Sequence, residues 1–258
     1  MNAGPRRRYT ANNKLVFNCD LGLGYQMGPP KFKDTLAKGP MGGDPVNFSL
    51  AKCREIVYDV WRAMHPQIVN GWRYLQNVII PNMARKDLVP YRYRCLVVEP
   101  QRLRLPNGLY LNFPGLRPID HPDGGYEYWN GKYWKSLYGG LLAENIIQAL
   151  ARIVMGEMMI EIGKRISQYS AKVILTVHDE IIVNSPSEHA ETCFQIMLEV
   201  MSQPPAWCND GSLALAAEGG WARPGRAAAR GWRCRRGARP LRRGCALPPP
   251  PGDRKSVV

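Results

Sequence analysis

Each thing this 258-residue sequence lacks removes a class of protein. No Cys-x-x-Cys pair occurs, and the seven cysteines (19, 53, 95, 193, 208, 234 and 245) are odd in number and scattered. Neither a zinc ribbon nor a disulfide framework is expected, and reduced thiols in a cytosol-like compartment are the simplest reading. Nowhere do 18 or more apolar residues run together, so no transmembrane helix and no membrane partner are expected. Met1 to Lys14 is polar and basic with no apolar core, so no secretory leader is predicted and the chain is assigned to the cytoplasm. Histidines number only four. Three of them, His65, His121 and His189, have no second ligand at metal spacing and read as turn or cap residues. No internal repeat is visible.

Acids are scarce at one end. Residues 221–258 hold eleven Lys or Arg against one acid, Asp253, which is +10 of the chain's +14 and leaves +4 for residues 1–220. The rest of this tail is mostly Gly, Ala and Pro, with a run from Pro248 to Pro251 and no apolar periodicity. It is expected to be disordered over 222–258. Such a tail can bind nucleic acid phosphates without sequence preference. A GC-rich gene read in the wrong frame would yield the same composition.

What is present begins with periodicity. Residues 1–13 are expected to be disordered or frayed. Residues 14–28 are apolar and punctuated by Gly22, Gly24 and Gly28, and repeated glycine suggests close approach of something to the backbone. Gly28-Pro29-Pro30 ends that element. Asp44 is a candidate N-cap with Pro45 at the first helical position. Leu50, Val57, Val60, Trp61 and Met64 then recur at helical spacing. His65-Pro66 breaks the helix, and Pro66 opens a second one carrying Ile68, Trp72, Leu75 and Ile79. Trp61 and Trp72 are assigned to the core.

From about Arg92 to Trp134 the pattern changes to short strands. Tyr93, Cys95, Val97, Leu103 and Leu105 precede a turn at Pro106-Asn107-Gly108. Asp123-Gly124-Gly125 and Asn130-Gly131 are further hairpin signals. Residues 138–169 form the longest helix, striped by Leu142, Ile146, Leu150, Ile153, Met158, Ile162 and Ile166 and widened by Ile147, Val154 and Met155. Lys164-Arg165 marks its solvated end. Ser185-Pro186-Ser187-Glu188 reads as a capping box opening a helix with Cys193, Phe194, Met197, Leu198 and Met201 on one face.

Between these two helices lies the stretch richest in chemistry. Lys172-Val173-Ile174-Leu175-Thr176-Val177 and Ile181-Ile182-Val183 read as two buried strands. His178-Asp179-Glu180 sits between them. Charges in a buried hairpin are costly unless compensated. A tight turn that presents the acids to a divalent metal would compensate them.

Val177-His178-Asp179-Glu180 resembles motif C of the family A DNA polymerases, the bacterial polymerase I and phage replicative type. Three other stretches agree in order. Leu21-Gly22-Leu23-Gly24-Tyr25-Gln26-Met27-Gly28, followed by Lys31-Phe32, is similar to the end of motif B on the fingers helix. Tyr138-Gly139-Gly140 through Glu144-Asn145-Ile146-Ile147-Gln148-Ala149-Leu150-Ala151-Arg152 is similar to the palm helix before motif C. Leu215-Ala216-Ala217-Glu218-Gly219 resembles the phage-type C-terminal segment.

The resemblance implies an α+β fold: a palm antiparallel sheet with packed helices plus part of a helical fingers subdomain. It implies partial fingers over 14–90, a β-rich insertion over 91–136 and a palm with motif C over 137–221. It implies a DNA-directed DNA polymerase, a nucleotidyltransferase of DNA replication. The partners would be a DNA primer-template and deoxynucleoside triphosphates. The cofactor would be Mg2+ in a two-metal site, with Asp179 as ligand and Glu180 beside the primer terminus. His178, Gln148 and Arg152 would contact primer-template, and Tyr25 with Gly24 would meet the nascent base pair.

The sequence also departs from the family. Motif B opens with an Arg and, four residues later, a Lys that grip the triphosphate; Asn13 and Phe17 stand at those positions. Motif A, which carries the other metal-binding Asp, precedes motif B and is absent from the residues before Tyr25. The expectation is a fragment inactive alone. Two further readings stand beside it: a non-catalytic nucleic-acid-binding remnant, and a frame-shifted gene product.

Overall fold

A computed structural model describes residues 22–39, 45–121, 124–208, 215–222 and 254–257. Expectations placed on residues 1–21, on Asp44, on Asp123 and on 223–253 lie outside them. The fold is α+β, with antiparallel sheets and several helices. It divides into two compact units, 1–149 and 150–258. Among the described residues, no helix is long and apolar enough to cross a membrane.

The first unit opens with helices. Helix α1, Pro29–Ala37, starts on the prolines that end the preceding element, because proline's fixed φ suits the first helical turn. Phe32 and Leu36 are its buried face. Helix α2, Leu50–Arg54, continues as a π-helical stretch, Glu55–Arg62. Its start corrects the expectation at Pro45, which lies in irregular chain. Ser49 is the cap instead: its side chain accepts from the Lys52 backbone N–H at 3.1 Å, an interaction usually contributing about 1 kcal/mol. The expected stripe is also narrower. Cys53, Val57 and Trp61, at a spacing of four, are buried, whereas Leu50, Val60 and Met64 are exposed. The i→i+5 bonding of a π-helix widens each turn, and this favours the spacing of four over that of three.

Helix α3, Pro66–Tyr74, follows, then π-helical Leu75–Ile79 and helix α4, Ile80–Ala84. Trp72, Leu75 and Ile79 are buried as expected, while Ile68 is exposed. Leu23, Phe32, Leu36, Cys53, Val57, Trp61 and Trp72 form one core cluster.

Strands β1 (Tyr91–Tyr93), β2 (Leu96–Glu99), β3 (Arg102–Arg104) and β4 (Tyr110–Asn112) make an antiparallel meander. Its inward residues are Leu96 and Val98 rather than Cys95 and Val97. A turn at Arg94, φ +54°, separates β1 from β2, and a one-residue offset exchanges the two faces of a strand. The expected turn after Leu105 is present, with Gly108 at φ +83°. Strands β5 (Arg117–Pro118), β6 (Tyr126–Trp129) and β7 (Trp134–Leu137) form a second sheet, and Asn130-Gly131 lies in the β6–β7 loop.

Helix α5, Gly139–Ile166, starts in the first unit and continues into the second. The second unit then adds β8 (Lys172–Val177), β9 (Glu180–Pro186) and helix α6 (Ala190–Met201). Its core joins Met158, Ile162 and Ile166 of α5 with Ile181 and Val183 of β9 and Cys193, Met197 and Met201 of α6. Each such side chain contributes roughly 1.5–3 kcal/mol by leaving water. Ser185 does not cap a helix. It is a buried strand residue in the inward series of Ile181 and Val183, and its hydroxyl donates to the Pro186 carbonyl at 3.2 Å. The helix starts after a 3-10 turn, Ser187–His189.

The sheet order is β10-β11-β9-β8, with β10 at Trp221–Ala222 and β11 at Arg254–Val257. Residues 254–257, within the tail expected to be disordered, form β11, whose backbone pairs with both β9 and β10. Trp221 Nε1 donates to Glu191 Oε2 at 3.0 Å, joining β10 to α6.

Candidate functional site

The two strands of the 172–186 hairpin meet at a two-residue loop, His178-Asp179, closed by the Val177–Glu180 pair. Two-residue loops need a positive φ to match strand twist. Here His178 supplies it, at +53°. Histidine is one of the few side chains that tolerates this region. The loop thereby lifts Asp179 to the tip, where both His178 and Asp179 are exposed and Glu180 is half-buried.

This overturns the expectation of buried acids in a buried hairpin. Strand β9 alternates, with Ile181, Val183 and Ser185 inward. Strand β8 does not mirror it: Ile174, Leu175 and Val177 are 55%, 52% and 40% exposed. The pairing slips between Val173 and Leu175, so Ile174 is the extra residue of a β-bulge. A continuous apolar run cannot reveal which of its residues a bulge turns outward. Among the described residues, no three His, Cys, Asp or Glu side chains are grouped closely enough to hold a metal ion.

The first unit positions the other expected residues except Arg152, which belongs to the second. Gly22 and Leu23 are helical, and a turn follows, in which the amides of Tyr25 and Met27 both donate to the Gly22 carbonyl at 3.3 Å. Gln26 has φ +69°. Trp72 Nε1 donates to the Gly24 carbonyl at 3.1 Å, so the expected core tryptophan also fixes the turn. Gln26 Oε1 accepts from the Gly140 amide at 2.8 Å, and Gln76 Oε1 accepts from the Gly139 amide at 2.9 Å. These bonds satisfy two of the otherwise unpaired amides at the start of α5. Both glycines are sterically required: a Cβ on Gly139 would overlap the Trp72 carbonyl, and one on Gly140 would overlap Gln26.

Tyr25 is half-buried beside α5. Burial pushes its phenol up from the ordinary value, and the Glu144 carboxylate adds to the rise. Glu144 also accepts from Gln148 Nε2 at 3.2 Å. Gln148 and Arg152 are exposed one helical turn apart on α5. The structure therefore links Tyr25, Glu144 and Gln148. Nothing in the sequence marks Glu144 for a role, since only proximity across more than a hundred residues assigns it one. His178, Asp179 and Glu180 belong to the second unit, the first two in the hairpin loop and Glu180 at the start of β9.

The chain is 27% identical over 212 residues to a protein named DNA polymerase from Bacillus phage SP02. That similarity covers 78% of this chain and 30% of the phage protein, so the chain spans about 30% of its relative's length. No protein-family profile matches the chain. No solved structure matches it.

Proposed function

We propose that this chain is the fingers-and-palm part of a family A DNA polymerase, acting on a primer-template and deoxynucleoside triphosphates. The observation that carries the reading is the hairpin tip after a 28-residue helix, where His178 and Asp179 are exposed and Glu180 opens β9. The similarity to the phage protein supports it.

In this reading the Asp179 carboxylate is a magnesium ligand. An exposed carboxylate oxygen suits a hard cation that keeps several waters and binds through one or two protein oxygens plus substrate phosphates. Bound there, the metal would supply charge neutralisation for phosphoryl transfer. Glu180 lies beside the primer terminus, and His178, Gln148 and Arg152 grip the primer-template backbone. Tyr25 offers its ring to the nascent pair, with Gly24 shaping the turn. Burial and the Glu144 carboxylate both push its phenol up, the direction that disfavours the ionised form. Gln148 donates one amide hydrogen to Glu144 and retains a carbonyl for DNA.

Among the described residues Asp179 and Glu180 belong to no group of three or more His, Cys, Asp or Glu side chains that could hold a metal ion, and the chain alone is expected not to extend a primer. Binding is the sharper test. Magnesium is expected to tighten binding of a labelled primer-template with deoxynucleotide present, followed by fluorescence anisotropy. Asp179→Ala is expected to remove about tenfold of that gain or more. A magnesium effect that is undiminished in Asp179→Ala would sink the reading.

A further inference from the structure

Strands β5, β6 and β7 form a three-stranded sheet with two unlike faces. Alternation along β6 turns Tyr128 inward, where its ring meets the buried Phe113 edge-on at 5.2 Å. Glu127 and Trp129 turn the other way. Cross-strand pairing adds Trp134, opposite Trp129, and Arg117, opposite Glu127, to that second face. The two indoles meet at 5.7 Å and 61°, yet Trp129 is 39% exposed and Trp134 40%. Both are held by their surroundings. Arg117 stacks on Trp134 at 3.7 Å, and Gly115, at φ +68°, leaves room where a Cβ would come within 3.1 Å of the same ring. Arg117 in turn donates to Glu127 Oε1 through Nε at 3.0 Å and Nη2 at 2.8 Å.

This face is aromatic and charge-balanced. Glu127 matches the Arg117 charge, so the pair of rings comes with no uncommitted guanidinium for a phosphate chain. Among the described residues neither Trp129 nor Trp134 donates its indole N–H to a protein acceptor. An indole N–H donates and cannot accept. The ligand that fits has apolar rings for the stack, carbonyls for the two donors, and neither charge nor donors of its own. A proline segment meets each condition, because every residue keeps its carbonyl and has no N–H. A sugar's hydroxyls bring donors, and the carboxylate of this face is already engaged by Arg117. Consecutive prolines favour the polyproline II helix, which aromatic-lined surfaces recognise at little ordering cost. The sequence carries four in a row, Pro248 to Pro251, between uncharged Leu247 and Gly252.

We propose that the Trp129–Trp134 pair is a docking site for a polyproline II segment, and that its occupant is the Pro248–Pro251 run of a second copy of this chain. Proline rings pack against the indoles, and proline carbonyls accept from the two indole N–H groups. This association needs neither DNA nor magnesium.

The test is anisotropy of a labelled peptide of residues 246–253, in EDTA and without DNA. The acceptor is the full chain carrying Pro249→Ala and Pro250→Ala, so that its own run does not compete. The peptide is expected to bind, and a peptide with the same two substitutions to bind about tenfold more weakly or worse. Trp129→Phe and Trp134→Phe keep a ring and remove the N–H, and each is expected to weaken binding about two- to tenfold, the share of one hydrogen bond. Salt is expected to leave the affinity unchanged, because no ion pair forms. In sedimentation velocity the wild-type chain is expected to self-associate with rising concentration, and the chain carrying Pro249→Ala and Pro250→Ala to remain monomeric. Unchanged peptide affinity in both tryptophan variants, with wild-type melting temperatures, overturns the proposal. Equal binding of the substituted peptide overturns it too, as does displacement of the peptide by cellohexaose or oligo-dT. A wild-type chain that is monomeric at every concentration overturns the assignment to a second copy.

Discussion

His178 carries both a backbone demand and a chemical one. Its φ of +53° is the left-handed conformation that L side chains resist by roughly 1–2 kcal/mol. Glycine would relieve that strain, at the cost of a freer unfolded chain. His178→Gly is therefore expected to leave the protein equally stable or up to about 1 kcal/mol more stable in urea unfolding. The same variant is expected to bind primer-template more weakly, since the imidazole is gone. Loss of stability with intact DNA binding would mean that the imidazole serves the fold instead. The residue types at this tip were legible in the sequence because charged side chains between two apolar runs stand out. Their exposure was not, because the bulge at Ile174 turns apolar side chains outward without changing composition. The link between Tyr25 and Glu144 was also illegible, since it exists only through the packing of α5 on the turn.

At the scale of elements, helix α5 shows how one sequence pattern conceals two requirements. Gly139 and Gly140 are needed because backbone atoms of Trp72 and Tyr25 and the Gln26 side chain lie where a Cβ would be. Gly156, in the same helix, has nothing within 4 Å of that position. The two substitutions therefore have opposite expected signs. Gly140→Ala is expected to cost about 1–3 kcal/mol by overpacking. Gly156→Ala is expected to stabilise by up to about 1 kcal/mol through helix propensity. Urea denaturation of both variants checks this, and equal effects would refute the packing account. The long helix itself was legible from its stripe, and its observed bounds, Gly139–Ile166, fall within the expected 138–169. Element starts fared worse. Pro45 and Ser185 each carried a start signal, but Ser49 caps α2 and the inward alternation of β9 claims Ser185. Local capping preferences contribute about 1 kcal/mol, less than burial in a sheet.

At the scale of the whole molecule, charge is segregated: the last 38 residues carry +10 of the net +14. The nine arginines between 223 and 243 can be tested without disturbing β11, which lies beyond them. Replacing all nine with glutamine is expected to flatten the salt dependence of duplex DNA binding, by about 0.9 for each phosphate no longer neutralised. Residual magnesium-dependent binding is expected to persist through the body. If the substitution removes all DNA binding, the Arg-rich tail is the binding element and the motif residues are not.

By itself the sequence determined the α+β class, the long helix, the β-rich stretch and the identity of the His178-Asp179-Glu180 tip. These follow from periodicity and residue type, which are properties of neighbours along the chain. Only the tertiary structure decided that the tip is solvent-facing, that Gly139 and Gly140 are packing glycines, and that Glu144 acts on Tyr25. Each of those depends on distances between residues far apart in sequence, set by which faces the helices and strands bury against one another.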